Sequence, residues 1–534
     1  MDMSYSTFLN RLKSLRELNS RNKNFVNIDL YKLMLKEGAL LAGYEKIKSN
    51  KGATTPGVGK ASLDSFTILR LFKLRDMLRN ESWQPSPARR IYITKPGKFE
   101  KRPLGIQGLE EKIVQAAMLL VLEAIYEPVF SKASFGFRPR LGTHNALKVI
   151  DQKYEGMTFA IEGDIKGMYD SVNHRTLVTL LEKRIKDDRF IRLIWKMLRT
   201  GYLETFKPLV KPDVGTVQTS IVSPILANIY LHELDLFMEN KSLNIPVKNN
   251  KLRTPVYRDI DNRMLMIKSH LYKLDSSSEE RARLLKELKT NKVKKVRVRM
   301  YCDPSNRVVY TRYADNFIIG IAGSFDYANA LKEEIIHFLS TLSLTLNAEK
   351  TKITDLRRDF AFFLGHKILI DTSVKYAYVR PKGKSSYLKK VTGRLVSIQA
   401  PIERLIQRLA GLGFCDTKGF PTVKKIWTTQ EDNQIVQNFN YTTLNIFEFY
   451  SGVHKRRFLQ RIWYILRFSC ALTLASKHRC SLNKVFSKHG RLLTINYGSS
   501  GERRVMLYQP SLKDLDRKWQ IGRRFDDPYR LIAL

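Results

Sequence analysis

The stretch Tyr310-Thr311-Arg312-Tyr313-Ala314-Asp315-Asn316-Phe317-Ile318-Ile319-Gly320-Ile321 sets an acid and an amide between β-branched and aromatic residues. The pattern predicts a tight hairpin, with Ala314-Asp315-Asn316 at its tip and Arg312 and Phe317 to Ile319 in its arms. Asp-Asn alone is ordinary turn chemistry. A second carboxylate changes its weight. Phe159 to Ile165 alternates like a half-buried strand, so Asp164 falls at its end, where the chain turns into a helix. Carboxylates delivered from two strand ends can hold a pair of divalent ions about 3.5–4 Å apart, the arrangement that drives in-line phosphoryl displacement.

With 534 residues, 43% of them hydrophobic, the chain can build several packed cores and is too long for one ordinary domain. Its net charge of +42 calls for a polyanionic partner. Lys and Arg are interleaved with aromatics rather than gathered in low-complexity blocks, which favours a folded nucleic-acid-binding enzyme over a disordered arm. Cys302, Cys415, Cys470 and Cys480 are scattered, with no Cys-x-x-Cys, so the composition argues against a zinc module and for a reducing compartment. No apolar run approaches the ~18–20 residues of a membrane span. The N-terminus mixes Arg11, Lys13 and Arg16 with Phe8, Leu9, Leu12 and Leu15, but Asp2 and Glu17 argue against a transit peptide. It is expected to be the first helix of the mature chain.

Asp164-Ile165-Lys166-Gly167-Met168-Tyr169-Asp170-Ser171-Val172-Asn173-His174 and Tyr313-Ala314-Asp315-Asn316 resemble the A and C motifs of reverse transcriptases encoded by group II introns. Other motifs fall in the family's order. Asn50-Lys51-Gly52-Ala53 with Pro56-Gly57-Val58 is similar to the N-terminal extension, and Ser134-Phe135-Gly136-Phe137-Arg138-Pro139 to a finger loop. Arg90 to Lys95 and Arg102 to Ile106 read as a basic hairpin. In this family the matching Lys95 and Arg102 cover the nucleotide triphosphate, while a solvated hairpin touching RNA is the plainer alternative. The resemblance puts the Tyr169 ring under the nucleotide sugar and Lys350 near its phosphates; Tyr169 could equally serve as packing. His144 has no metal partner in view and reads as structural.

Two motifs depart from the family pattern. Gly215 to Leu231 looks like the B motif, which normally reads Gly-Thr-Pro-Gln-Gly-Gly-x-x-Ser-Pro-x-Leu-Ala-Asn. Gln218 is kept as a nucleotide-binding candidate, but Val217, Thr219 and Ser220 replace a proline and two glycines. Side chains there are expected to crowd the pocket or tilt the next helix. The second departure is Asn316, where polymerase-competent members have aspartate. An amide keeps one oxygen but removes a charge, which weakens a hard-cation site. Asp164, Asp315 and Asn316 are thus the catalytic candidates, with Asp164 and Asp315 as ligands of a weakened magnesium site.

The resemblance implies an α+β right-hand fold. Residues 1–85 are an N-terminal extension, 86–380 fingers and palm with an insertion at 241–300, and 381–425 a helical thumb. Residues 426–495 match the maturase region called domain X, and 496–534 form a basic tail. The insertion is charged through Lys292, Lys294, Lys295, Arg297 and Arg299 and is read as helical around 278–290, either touching RNA or solvated. Helices are expected at Tyr387 to Ser397, Ile402 to Leu412, Leu444 to Tyr450 and Arg456 to Lys477. Apolar stripes there are backed by RNA-binding candidates Lys455, Arg456, Arg457, Arg461, Arg467, Lys477, Arg479 and Lys484. Tyr464 or Trp463 is expected to add stacking. A His-Asn-His nuclease is not expected.

The expected function is a maturase that binds group II intron RNA and promotes splicing over an impaired polymerase cleft. The alternative is an active RNA-directed DNA polymerase using DNA as primer or target. No membrane partner is expected, a homodimer stays open, and the expected location is the mitochondrion, with the chloroplast as alternative.

Overall fold

The computed structural model describes residues 2–50, 52, 54–59, 63, 66–94, 101–204, 210, 214–215, 220–243, 255–272, 279–298, 307–371, 375–379, 387–391, 395–498 and 502–521. Lys95 and Gln218, with Val217 and Thr219, lie outside them, as does the Arg102 side chain. Helices and strands mix throughout in an α+β chain with two large apolar cores and a third, smaller one where the helix Thr143–Lys153 backs the sheet.

The first core forms around the helix Leu109–Tyr126. It is apolar on nearly every side, so it has to be enclosed, and Val114, Ala117, Val121 and Ile125 are fully buried. The N-terminal helix Asp2–Arg21 and the helix Glu37–Lys48 pack against it. Beside them lies a four-stranded antiparallel sheet in the order Arg307–Tyr313, Asn316–Ala322, Phe159–Asp164, Lys352–Asp355. The first two strands are the expected hairpin. β-branched residues fill its arms, and Ile318, Ile319 and Ile321 are fully buried. Its register sets Asn316 opposite Asp164. Tyr154 locks the sheet from behind. Its hydroxyl accepts the Gly320 N–H at 3.0 Å and faces the carbonyls of Ile318 and Val309 at 3.1 and 3.2 Å.

The basic hairpin is present as Ala88–Thr94 paired antiparallel with Lys101–Ile106, Ile93 opposite Arg102. The insertion is more helical than the sequence suggested. Pro255–Leu271 and Glu279–Arg297 pack on each other through Met264, Ile267 and Leu288, with Arg263 paired to Glu287 at 2.9 Å. Their small core is separate from the two large ones.

The helix expected over Tyr387 to Ser397 is a correction. Tyr387–Val391 and Leu395–Gln399 are strands, and the second joins His366–Asp371 and Ala361–Phe363 in a three-stranded sheet. Leu395-Val396-Ser397-Ile398-Gln399 alternates, Val396 and Ile398 are buried, and a sheet edge stands ready to pair with it.

The second core is helical, built from Ile402–Gly411, Asp432–Phe449, Leu459–Lys477 and Leu482–His489. The segment expected as a basic tail folds back onto it in part. Arg503–Val505 pairs with Ile495–Tyr497, Leu512–Ile521 is a helix, and Leu507 and Leu515 are buried. The helical core meets the third core, behind the sheet, through hydrogen bonds. His144 Nε2 lies 2.9 Å from the Phe449 carbonyl, and Tyr450 donates to the Gly365 carbonyl at 3.2 Å. Burial pushes His366 at this joint down to about 3 and lowers His144, so both stay neutral at ordinary pH. His144 is therefore structural.

Tyr154→Phe leaves the Gly320 N–H without its buried acceptor and should destabilise the chain by about 1–3 kcal/mol. Urea unfolding would show a lower midpoint at unchanged slope. An unchanged midpoint would mean that the hydroxyl does not hold the sheet.

Candidate active site

Asp164 and Asp315 are brought together by neighbouring strands. The Ile165 N–H donates to the Asp315 carbonyl at 3.1 Å, which ties the end of the Asp164 strand to the hairpin tip. The tip is a two-residue turn whose Ala314 sits at φ +55°, a left-handed conformation uncommon for a residue with a side chain. Two close approaches shape the surroundings. A Cβ on Gly163 would lie 2.1 Å from the Phe317 ring, and one on Gly136 would lie 2.3 Å from the Ala314 nitrogen. Only glycine lets that ring and the Ser134-to-Arg138 loop close on the tip.

Beneath the tip lies a network that sequence reasoning missed. Arg312 is fully buried and forks onto Asp235, Nε to Oδ1 and Nη2 to Oδ2, both at 2.7 Å. Its Nη1 donates to Asn228 Oδ1 at 3.0 Å and to the Ala314 carbonyl at 2.9 Å. Tyr310 donates to Asp235 at 3.0 Å, and Asn228 donates to the Gly136 carbonyl at 2.9 Å. Burial alone would raise the Asp235 carboxyl, but the charge and hydrogen bonds of Arg312 outweigh it and hold it below the usual range. The available signal was spacing. Asn228 and Asp235 are seven residues apart on the helix Ser223–Leu243, so they share a face, and Arg312 falls in an otherwise buried strand.

In the cleft, Lys350 Nζ lies 2.8 Å from Asp164 Oδ2, and the Asn316 amide donates to Asp315 Oδ1 at 3.1 Å. Burial, and next the negative charge of Asp164, raise the Asp315 carboxyl above its ordinary value. Two carboxylates that close attract a cation, and here an ammonium and an amide N–H serve them. The donor set suits a hard cation at Asp164 and Asp315, with the Asn316 amide oxygen as a third ligand if that amide turns over. Among the described residues no group of three or more His, Cys, Asp or Glu side chains gathers at one point.

Tyr169 is partly buried on the short helix Met168–Ser171 just after Asp164 and packs against the first core. Gly215 lies alongside, its N–H bonded to the Val172 carbonyl at 2.8 Å. Of the three residues expected to crowd the pocket, Ser220 is among the described residues and is buried. Its hydroxyl is taken up by Gln115 at 2.8 Å, and the next helix starts regularly at Ser223. A cavity of about 280 Å³ opens beside this segment, lined among others by Arg90, Gln115, Asp170, Tyr202 and Ser220.

The basic candidates of the C-terminal unit divide into two groups. Lys455, Arg457, Arg479 and Lys484 are exposed. Arg456 donates to the Ser451 carbonyl at 2.8 Å, Arg461 to Gly419 at 3.0 Å, Arg467 to Arg491 at 3.0 Å and Lys477 to Asp432 at 2.7 Å. These four brace the fold as well as carrying charge.

Comparison with known proteins agrees with this geometry. Residues 93–368 match the family described as reverse transcriptase (RNA-dependent DNA polymerase), and 393–517 match type II intron maturase. The chain is 34% identical over 483 residues to the group II intron-encoded protein LtrA of Lactococcus lactis subsp. cremoris, covering 89% of this chain and 79% of that one. It is 36% identical over 521 residues to an uncharacterized 91 kDa protein in the cob intron of Schizosaccharomyces pombe, covering 94% and 62%. It is 32% identical over 489 residues to a putative COX1/OXI3 intron 1 protein of Saccharomyces cerevisiae, covering 90% and 57%.

Asp235→Ala leaves the Arg312 charge buried and unpaired, and should cost about 3–5 kcal/mol in chemical denaturation. Replacing both partners by apolar residues should cost less than the single change. A second expectation concerns pH. Asp315 holds its proton more tightly folded than unfolded, so its ionisation opposes folding once pH rises above the ordinary carboxylate value of about 4. Asp315→Asn should therefore raise the melting temperature at pH 7 without divalent ions, and the gain should vanish below about pH 4. An equal gain at both would show that charge is not its cause.

Proposed function

The chain belongs to the family of group II intron-encoded reverse transcriptases and maturases, and from that premise we propose that it binds its intron RNA and promotes splicing while its polymerase cleft is impaired. The observation that carries the impairment is Asn316, whose N–H occupies an Asp315 oxygen that a metal would need. On this reading the four-stranded sheet is the palm, the Ala88–Ile106 hairpin belongs to the fingers, and the strand and helix from Leu395 to Gly411 are the base of the thumb. The helices that follow form the RNA-gripping region.

Within the cleft, Asp164 and Asp315 would hold magnesium. When bound, the metal would supply the positive charge that stabilises the displaced and attacking oxygens. Lys350 would release Asp164 and turn to the nucleotide phosphates, Tyr169 would lie under the sugar, and Lys95, Arg102 and Gln218 would close around the nucleotide. The exposed Lys455, Arg457, Arg479 and Lys484 would meet RNA phosphates, giving strongly salt-dependent binding. A mitochondrial location fits relatives named for cob and COX1 introns. Retention of both aspartates and Lys350 supports the second reading, an active RNA-directed DNA polymerase.

Primer extension on an RNA template with magnesium and deoxynucleotides separates the two. The wild type should synthesise poorly, and Asn316→Asp should raise incorporation by ~10–100-fold, the scale of a tuned metal contact. Robust wild-type synthesis overturns the impairment. The maturase reading requires that the protein bind its own intron RNA at least about tenfold more tightly than random RNA of equal length at physiological salt. Equal affinity for both would contradict it.

A further inference from the structure

The helix Leu459–Lys477 carries an alternating run of rings and guanidinium groups along one side. Arg461 Cζ lies 5.2 Å from the centroid of the Tyr464 ring, and Tyr464 lies 4.6 Å from Phe468. Phe468 meets Phe486 of the next helix at 5.6 Å, and Arg467 lies over both, at 5.2 and 5.0 Å. At the near end, Arg461 Nη2 donates to the Gly419 carbonyl at 3.0 Å, which fixes the turn that carries Phe420. Five side chains of two helices, Arg461, Tyr464, Arg467, Phe468 and Phe486, form one continuous ladder, and Phe420 follows the glycine to which its near end is bonded.

Its near end is open. Phe420 is 60% exposed and Tyr464 39% exposed. Single exposed apolar residues need no explanation. Here, however, Tyr464 lies against a guanidinium group, and Phe420 follows the glycine whose carbonyl positions that group, in a chain of net charge +42. Lys418, Lys455 and Arg457 are exposed nearby in sequence and supply charge for a polyanion. A duplex offers such a surface only phosphates, and its bases are stacked on one another. An unpaired base offers a π-face as well, and both a tyrosine ring and a guanidinium plane can receive it.

We infer that the outward edge of this ladder, Arg461 and Tyr464, together with Phe420, is a stacking platform for unpaired bases of an RNA loop, with the surrounding cations holding the flanking phosphates. The inference rests on the reading that the chain binds RNA, and names the part of the RNA this face takes. Stacking depends on ring area, so purines should bind better than pyrimidines. It does not depend on the tyrosine hydroxyl.

The test uses the full-length protein and fluorescence anisotropy at physiological salt, with three labelled RNAs of equal length: oligo(A), oligo(U) and a blunt duplex. The expected order is oligo(A) above oligo(U). Tyr464→Ala and Phe420→Ala should each weaken oligo(A) by roughly 5- to 100-fold while leaving the duplex within about twofold. Tyr464→Phe should bind as the wild type does. Ultraviolet cross-linking of oligo(A) followed by peptide mapping should mark Phe420 or Tyr464. Equal losses for all three RNAs, no loss on oligo(A), or a cross-link confined to the Asp164 cleft would each overturn the platform. Failure to bind any of the RNAs would instead overturn the RNA-binding reading on which it stands.

Discussion

A guanidinium without solvent must be paired, and the pairing of Arg312 with Asp235 fixes much else in this protein. Three of the guanidinium's contacts are to side chains of the helix Ser223–Leu243, and the fourth is to the carbonyl of Ala314. The helix is thereby tied to the turn that carries Asp315. Asn228 extends the tie to Gly136, so a loop nearly 180 residues earlier is held by the same network. Loss of either charge would strand the other inside the fold, where desolvation makes an unpaired ion expensive. The carboxylate tip is thus held from beneath whatever happens in the cleft.

The cleft itself is balanced differently. Asp164 and Asp315 repel one another, and Lys350 with Asn316 relieves them at 2.8 and 3.1 Å. A lysine on a mobile stem can move away when a stronger cation arrives. An amide at a hairpin tip has to turn over to present its oxygen, and even then it brings no charge. The rigid support under the tip and the weakened charge at its surface fit a framework kept for its shape. The helical core, joined to the back of the sheet through His144, Phe449, Tyr450 and Gly365, would inherit that shape.

Much of this was legible in the sequence because periodicity and turn chemistry act locally. The alternation on either side of Ala314-Asp315 defined the hairpin, and the strand ending at Asp164 was equally plain. Tyr387 to Ser397 misled because its basic, mixed composition carries no strong period. Its C-terminal part is a strand because the edge of His366–Asp371 is there to pair with it, and a tertiary partner of that kind does not show locally. The insertion showed its second helix but hid the first, Pro255–Leu271, since a pair that buries only Met264, Ile267 and Leu288 needs little apolar pattern. The Arg312 network stayed hidden because Arg312 lies 77 and 84 residues from Asp235 and Asn228 and none of the three is unusual alone. Ser220 departed from the family pattern, and its hydroxyl donates to the side-chain oxygen of Gln115.

The central claim is that RNA gripping and the carboxylate pair are separable. In vitro splicing of the intron by the Asp164→Ala/Asp315→Ala double variant, at protein concentrations above the binding midpoint, tests it most directly. Because Arg312 and Asp235 continue to hold the tip, the variant should splice at the wild-type rate. A splicing rate that collapses while RNA affinity and melting temperature remain unchanged would show that the carboxylates take part in splicing, and the claim would be wrong.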